Sequence, residues 1–401
     1  RHNDGLDYVP THKGVLFGHH FAAIAGAGPL VGPVLAAQMG YLPGTLWIIF
    51  GVVFAGAVQD MMVLFVSMRR DGKSLGDIVK QELGTVPGVI ASIGILMIMV
   101  IIMAVLALIV VKALVHSPWG TFTIAATMPI AVFMGIYTRY IRPGKIGEIS
   151  IVGFILLMLA VIYGDNVAHS SIGHWFDLDG IQLTWAIMIY GFVASVLPVW
   201  LLLTPRDYLS TFLKIGTIVA LAIGILIVSP ALQMPAVTHF IDGSGPVFSG
   251  ALFPFLFITI ACGAVSGFHA LISSGTTPKM LENETHVRMI GYGGMLMESF
   301  VAIMALAAAS SLDPGVYFAM NSPAALIGTD ANTAAEVITT KLQFPVDAAT
   351  LLHTAKEVGE NTILSRAGGA PTLAVGMAHI MSRLIPGEAM MAFWYHFALL
   401  F

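Results

Sequence analysis

Several runs of 18 or more apolar residues decide what kind of fold this sequence can adopt. A run of this length forms a helix that crosses the hydrocarbon core of a bilayer, where a helix satisfies its own backbone hydrogen bonds. Hydrophobic residues make up 57% of the 401 residues, and Asp, Glu, Lys and Arg make up 10%, against about 25% in soluble proteins. We therefore predict an all-α polytopic membrane protein, with the lipid bilayer as its surroundings.

Hydropathy predicts about eleven transmembrane segments. They cover residues 15–39, 41–68, 88–115, 119–141, 147–163, 182–204, 209–229, 248–275, 291–311, 370–386 and 388 onward. Cytoplasmic loops are enriched in Lys and Arg, and a cytoplasmic N-terminus places all but four of the 18 Lys and Arg residues on that side. The four exceptions are Lys112, Lys341, Lys356 and Arg366.

The order of these segments predicts the domain organisation. We expect a cytoplasmic N-terminal segment at 1–14, a first transmembrane repeat at 15–163, part of a second at 182–311, an extracytoplasmic loop at 312–369 and further segments at 370–401. The loop shows helical patterns at Thr333–Leu342 and Ala349–Val358, and either a passive loop or an outer gate fits them. The chain starts without Met and ends in an apolar run, so we expect a longer parent protein.

Composition and motifs argue against several classes of protein. The single cysteine, Cys262, excludes an intramolecular disulfide and a metal site of several cysteines. A net charge of −4 without a basic block argues against nucleic acid as a partner. No phosphate-binding loop, nucleophile elbow or HExxH motif occurs, so we predict neither an enzyme nor a cofactor.

The first predicted span contains an unusual density of helix breakers. Three glycines and two prolines lie within Ala25–Pro33, and they should unwind the helix at mid-depth. Such backbone is tolerated where it is buried in protein or lines a wet cavity, although a tightly packed kink is the alternative. We predict a substrate site at Gly26, Gly28, Pro29 and Gly32. Since no Lys or Arg lies deep in the broken spans, an anion would bind backbone N–H groups at the start of a half-helix.

Two later spans carry further irregular patches. The sixth has Ser195 and Pro198 close together, and its orientation is opposite to that of the first span, which is the pattern of an inverted five-plus-five repeat. The eighth combines glycines and hydroxyl groups between Thr259 and Pro278. We take Ser195 and Ser266 as candidate substrate ligands. For the hydroxyl groups of the eighth span, hydrogen bonding to the helix's own carbonyls is the alternative.

Three ionisable residues are predicted near the middle of the membrane: Asp60, His269 and Glu298. An ionised group at that depth costs about 2.5–3.5 kcal/mol on insertion scales, so a functional role is the default interpretation. We predict proton or ion coupling by these residues, with a purely structural hydrogen bond as the alternative. His19 and His20 point in different directions on a helix, and they are the residues of an alternative metal site.

Long sequence motifs point to a known family. They are Asp4–Pro10, Gly18–Gly44, Gly56–Asp60, Arg69–Gly72, Thr204–Tyr208 and Ser266–His269. With these motifs the whole chain resembles the carbon starvation protein A (CstA) family. The resemblance implies a fold similar to that of inverted-repeat amino-acid/cation transporters with broken helices, and a link to the uptake of peptides or pyruvate when carbon is scarce.

The resemblance and the membrane-depth residues together lead to one functional expectation. We expect a bacterial inner-membrane secondary transporter that imports peptides or pyruvate-like small carboxylates, driven by protons. One alternative is a transition-metal transporter that uses His19, His20 and His269 with walls rich in Met. Another is a membrane sensor that transports nothing. The choice between peptide and pyruvate and the oligomeric state stay open at this point.

Overall fold

A computed structural model describes residues 8, 10–142, 146–198, 201–387 and 389–400. Most of the predicted N-terminal segment, residues 1–7 and 9, lies outside these described residues. The regular structure within them is helical, with one isolated bridge between Thr11 and Leu281. The predicted all-α fold is therefore confirmed.

The helices are numbered here in chain order. The first ten are α1 Lys13–Ile24, α2 Gly28–Ala36, α3 Tyr41–Gly51, α4 Ala57–Arg69, α5 Leu75–Leu83, α6 Thr85–Leu114, α7 Pro118–Ile136, α8 Ile146–Ala168, α9 Gly180–Val196 and α10 Leu203–Val228. The later ones are α11 Phe257–Thr259, α12 Ala261–Ala264, α13 Gly267–Ser273, α14 Thr277–Met280, α15 Gly293–Ser310, α16 Pro314–Asn321, α17 Ala324–Ile327, α18 Ala331–Thr340, α19 Ala348–Glu357, α20 Ala370–Leu384 and α21 Met390–Ala398.

Several of these helices are long and apolar enough to cross a membrane. Within the described residues they are Tyr41–Arg69, Thr85–Leu114, Pro118–Ile141, Gly147–Ala168 and Glu284–Ser310. A sixth span forms if α1 and the helical stretch Gly28–Met39 count together, and these two are bent by 49° at the break between them. The structure thus confirms a multi-pass membrane protein with a broken first span, but it does not confirm the predicted number of eleven segments.

The chain folds into two compact units. The first comprises residues 1–106 and 235–307, and the second comprises residues 107–234 and 308–401. In the first unit, α3 continues through a π-helical turn at Val52–Gly56 into α4, which packs against α13 and the turn at Arg288–Tyr292. A methyl group on Gly291 would lie 2.8 Å from the Cα atom of Met61, so glycine is required for this close approach of two helices.

The predicted sixth and eighth spans differ from continuous helices. In the second unit, α9 ends at Val196 and Leu197 is extended, because a residue that precedes proline, here Pro198, is disfavoured in the helical region. The break expected around Ser195 and Pro198 therefore coincides with the end of α9, while a single crossing of the membrane by residues 182–204 stays a prediction. In the first unit, the predicted irregularity of the eighth span is confirmed, since its residues form the short helices α11 to α14.

The predicted loop 312–369 is largely helical. Its two predicted helical patterns are confirmed as α18 and α19. A buried ion pair follows them, with Arg366 Nη2 2.8 Å from Glu360 Oε2, and the hydroxyl of Ser117 donates to Glu360 Oε1 over 2.6 Å. These contacts attach the segment after α19 to the start of α7 within the second unit.

Candidate functional site

Three ionisable side chains of the first unit meet although they are far apart in the sequence. His269 Nδ1 lies 2.7 Å from Asp60 Oδ2, and His269 Nε2 lies 2.6 Å from Glu298 Oε2. None of the three side chains is exposed. These are the three residues that the sequence singled out for coupling, and they form one carboxylate–imidazole–carboxylate cluster, called the coupling cluster below.

The hydrogen bonding of the coupling cluster is incomplete. The contact between Asp60 and His269 Nδ1 has hydrogen-bond geometry. Among the described residues, Asp60 Oδ1, His269 Nε2 and Glu298 Oε2 have no hydrogen bond of good geometry. Buried polar atoms are rarely left in this state, so the cluster has positions at which a proton can be taken up.

Burial makes the net charge of the coupling cluster important. With His269 protonated and both carboxylates ionised, the cluster carries one net negative charge, and one further proton neutralises it. Removing charges from water is costly unless they are paired, and closely interacting groups take up and release protons as a set. The cluster can therefore gain or lose one proton. It gains a proton most readily when a further negative charge lies nearby.

Three elements position the cluster. Asp60 lies in the first turn of α4, His269 lies on α13 and Glu298 lies on α15. Ser266 occupies the N-cap position of α13, and its carbonyl accepts a hydrogen bond of 2.7 Å from Gln59 Nε2. This bond ties α4 to the start of α13, so the side chains of Asp60 and His269 face each other.

Cys262 belongs to the same site, although it was not among the residues predicted from the sequence. Its Sγ atom lies 3.4 Å from Glu298 Oε1 and 3.5 Å from the hydroxyl of Ser266. Its position four residues before Ser266 and seven before His269 is the spacing of one helix face. The backbone breaks at Val265 between α12 and α13, so that spacing alone was a weak signal.

The glycines of the broken first span have different surroundings. Side chains at Gly28 and Gly32 would overlap Cys262 and the carbonyl of Thr259, respectively. A side chain at Gly26 would meet nothing within 4 Å. Gly28 and Gly32 thus permit close packing of α2 on α11 and α12, which was the alternative explanation for them, while Gly26 borders open space.

The start of α2 has the features of an anion site. Pro29 lies in its first turn, as predicted, and no side chain caps the helix. The first N–H groups of a helix have no intrahelical acceptor, and the helix dipole adds partial positive charge there. The amides of Ala27 and Gly28 are therefore suited to bind a carboxylate.

Ser195 is the remaining candidate substrate ligand. It belongs to the second unit and is exposed. Its hydroxyl donates to the carbonyl of Phe192 over 2.7 Å, a hydrogen bond within its own helix. Its role in substrate binding stays a prediction.

The predicted alternative metal ligands are not brought together. His20 is buried with Nδ1 2.9 Å from the hydroxyl of Thr277, whereas His19 is half-buried. Among the described residues, the possible metal ligands that gather are Cys262, His269 and Glu298, with ligand atoms within 4.8 Å of one another. Two ligands of a tetrahedral zinc ion stand about 3.3 Å apart. The separation of 2.6 Å between His269 and Glu298 is shorter, so their arrangement suits a shared proton better than an ion.

Comparisons with known proteins agree with the motif resemblance. The peptide transporter CstA of Escherichia coli strain K12 is 68% identical to this chain, and the pyruvate/proton symporter BtsT of the same strain is 60% identical. Both matches cover 100% of this chain. The peptide transporter CstA of Bacillus subtilis strain 168 is 47% identical over 99% of the chain. The chain spans 58–64% of the length of these relatives. No solved structure matches it.

The family model gives the assignment. The model described as carbon starvation protein CstA matches residues 1–401. Since this match covers every residue, and the motifs that carried the resemblance lie along the whole chain, the chain belongs to the carbon starvation protein CstA family.

Proposed function

We propose that this protein is a secondary active transporter of the bacterial inner membrane, with its N-terminus in the cytoplasm, that imports small carboxylates or peptides together with protons. The names of its relatives support both kinds of substrate: peptide transporter and pyruvate/proton symporter. Pyruvate and peptides share a carboxylate, which is the group that the start of α2 is suited to bind.

The observation that carries the proposal is the coupling cluster. Two carboxylates lie on either side of one imidazole, and all three groups are inaccessible to solvent. They form a site that can gain or lose one proton. Ionisable residues inside a membrane protein are costly and mark proton or ion pathways. In this proposal Asp60, His269 and Glu298 take up the proton that accompanies the substrate.

The substrate site lies next to the coupling cluster in the first unit. Cys262 contacts Gly28 at the start of α2 on one side and Glu298 on the other. A carboxylate bound to the amides of Ala27 and Gly28 would bring a negative charge close to the coupling cluster. Because a buried negative charge favours an added proton nearby, substrate and proton would enter together.

The experiment is uptake into proteoliposomes made with the full-length protein. Labelled pyruvate and a labelled dipeptide are offered separately, with an inward proton gradient, without a gradient, and with a protonophore. We expect accumulation of at least one substrate that depends on the gradient. A protein that accumulates neither substrate, or that accumulates one equally well after the gradient is dissipated, contradicts the proposal.

The transition-metal alternative has one observation in its favour, the gathering of Cys262, His269 and Glu298. Elemental analysis of the purified protein separates it from proton coupling. Stoichiometric bound metal that is lost in His269→Ala would favour the metal transporter.

A further inference from the structure

We propose that the thiol of Cys262 makes substrate binding and proton binding depend on each other. The thiol donates to Glu298 when the start of α2 is empty, and it donates to the substrate carboxylate when that site is occupied. This inference rests on the proposed function and adds to it the group through which the substrate affects the coupling cluster.

The position of the thiol is the first step. Glycine at position 28 brings the backbone of α2 so close to Cys262 that a side chain there would overlap Sγ. A carboxylate held by the amides of Ala27 and Gly28 would bind at the residue that this sulfur contacts, and the inference is that it comes within reach of the thiol. On its other side, Sγ is 3.4 Å from Glu298 Oε1, so one atom borders both sites.

The second step is the freedom of the thiol to change partners. Its hydrogen moves by rotation about single bonds between staggered positions, and no backbone movement is required. In the described structure Sγ lies within reach of two oxygen atoms, those of Glu298 and Ser266. An incoming carboxylate is an acceptor of the same kind as Glu298, since hydrogen bonds to ionised groups are the stronger ones, so it can compete with Glu298 for the hydrogen of the thiol.

The third step concerns the proton. A donated hydrogen bond stabilises the ionised form of a carboxylate, so Glu298 loses part of that stabilisation when the thiol turns to the substrate. Glu298 then accepts one proton from the aqueous side, while the sulfur keeps its own hydrogen throughout. The charge added to the coupling cluster offsets the negative charge of the substrate.

The unsatisfied atoms of the coupling cluster support this step independently. Glu298 Oε2 and His269 Nε2 are fully buried and have no hydrogen bond of good geometry among the described residues. They lie 2.6 Å apart, a distance at which a hydrogen bond forms when either atom carries a proton. The cluster is thus arranged to gain a proton at the residue that Cys262 contacts.

Thermodynamic linkage makes the inference measurable. If bound substrate favours proton uptake, then protons must raise the affinity for substrate by the same factor. We expect wild-type protein to bind pyruvate at least about fivefold more tightly at mildly acidic than at mildly alkaline pH, the lower end of typical coupling. In Cys262→Ala binding should persist, but the pH dependence should fall below about twofold.

Two further variants serve as controls for calorimetric titration with pyruvate. Cys262→Ser keeps a donor and should retain most of the pH dependence. Ser299→Ala removes a hydroxyl beside Glu298 that donates to the carbonyl of Leu296 over 2.8 Å, so it should behave as wild type. Thermal unfolding of each variant is measured in parallel, and alkylation of Cys262 by N-ethylmaleimide should slow when pyruvate is bound.

The outcomes separate this inference from the proposed function. Pyruvate binding that is independent of pH in the wild type contradicts proton coupling, and the inference fails with it. Wild-type pH dependence that persists in Cys262→Ala, or alkylation that pyruvate does not slow, overturns the role of Cys262 and leaves proton coupling standing.

Discussion

Two glycines of the first span illustrate how much the surroundings of a residue decide its role. Gly26 and Gly28 are two positions apart and look alike in the sequence. Gly28 is in close contact with Cys262, while a side chain at Gly26 would enter open space. Gly26 is therefore the position where an added side chain tests for a substrate without disturbing the packing.

We predict that Gly26→Leu weakens substrate binding while the protein remains as stable as the wild type. The leucine side chain would fill the open space beside the amides of α2 and keep a carboxylate from reaching them. Loss of a charge-assisted hydrogen bond costs about 1.5–3 kcal/mol, which is about one to two decades in affinity. Calorimetric titration with pyruvate measures this loss.

Gly94→Leu is the matched control, because a side chain at this position on α6 also meets nothing within 4 Å. Gly72 is less suitable for this purpose, since its φ angle is +66° and a side chain there would meet Lys279. If Gly26→Leu and Gly94→Leu bind pyruvate with equal affinity, the substrate does not occupy the space beside Gly26.

At the scale of single residues, the sequence identified Asp60, His269 and Glu298 because charged groups at membrane depth are rare and costly. It did not reveal that they touch, since 209 residues separate Asp60 from His269 and no local pattern encodes such a contact. Cys262 was missed because a single half-buried cysteine is usually no more than a small apolar residue. Only its contacts with Gly28 and Glu298 suggest a role.

At the scale of helices, the sequence predicted the positions of the helix breaks more reliably than the path of the backbone after each break. The breakers of the first span separate α1 from α2 within one span, as expected. Those around Pro198 end α9 at Val196 instead. The residue before a proline is disfavoured in the helical region, and Leu197 before Pro198 is indeed extended. Gly28 and Gly32, which precede Pro29 and Pro33, are nevertheless helical, so packing with other parts of the chain decides the outcome at each proline.

The helices of segment 312–369 lead to a prediction about pH. The backbone N–H and the hydroxyl of Thr350 lower the pKa of Asp347, the N-cap of α19. Since the pKa in the folded state is below the unfolded value, this cap stabilises α19 at pH above the unfolded pKa and loses its effect as the pH falls through the folded pKa. We expect α19 to lose protection against hydrogen exchange in acid.

Hydrogen exchange followed by mass spectrometry, corrected for intrinsic rates, measures this effect in peptides that cover 348–357. Asp347→Asn is the control, because asparagine caps a helix nearly as well as aspartate and does not titrate. The variant should keep its protection as the pH falls. Equal losses in the variant and the wild type would show that Asp347 is not responsible.

At the scale of the whole molecule, composition alone predicted a multi-pass membrane protein, since a chain with 10% charged residues cannot cover a soluble surface. The number of spans was predicted less well. Short helices such as α11 to α14 carry apolar residues in long runs yet do not form single spans. Hydropathy responds to composition along the chain, and it does not detect where the backbone turns within an apolar run.

The proposed coupling leads to one prediction for transport as a whole. A buried cluster that gains a proton when the substrate carboxylate binds would move both across the membrane together. Removing one titratable group should then separate the two events, so that substrate still crosses but no longer accumulates against its gradient. Asp60 is the suitable residue, because Asp60→Asn keeps an oxygen that can accept the hydrogen bond of 2.7 Å from His269 Nδ1.

The most direct measurement compares Asp60→Asn with the wild type in proteoliposomes, using pyruvate uptake driven by a proton gradient and exchange of pyruvate between equal concentrations on both sides. We predict that the variant loses gradient-driven accumulation and retains at least part of the exchange. Accumulation at the wild-type level by Asp60→Asn would contradict proton coupling through the Asp60–His269–Glu298 cluster.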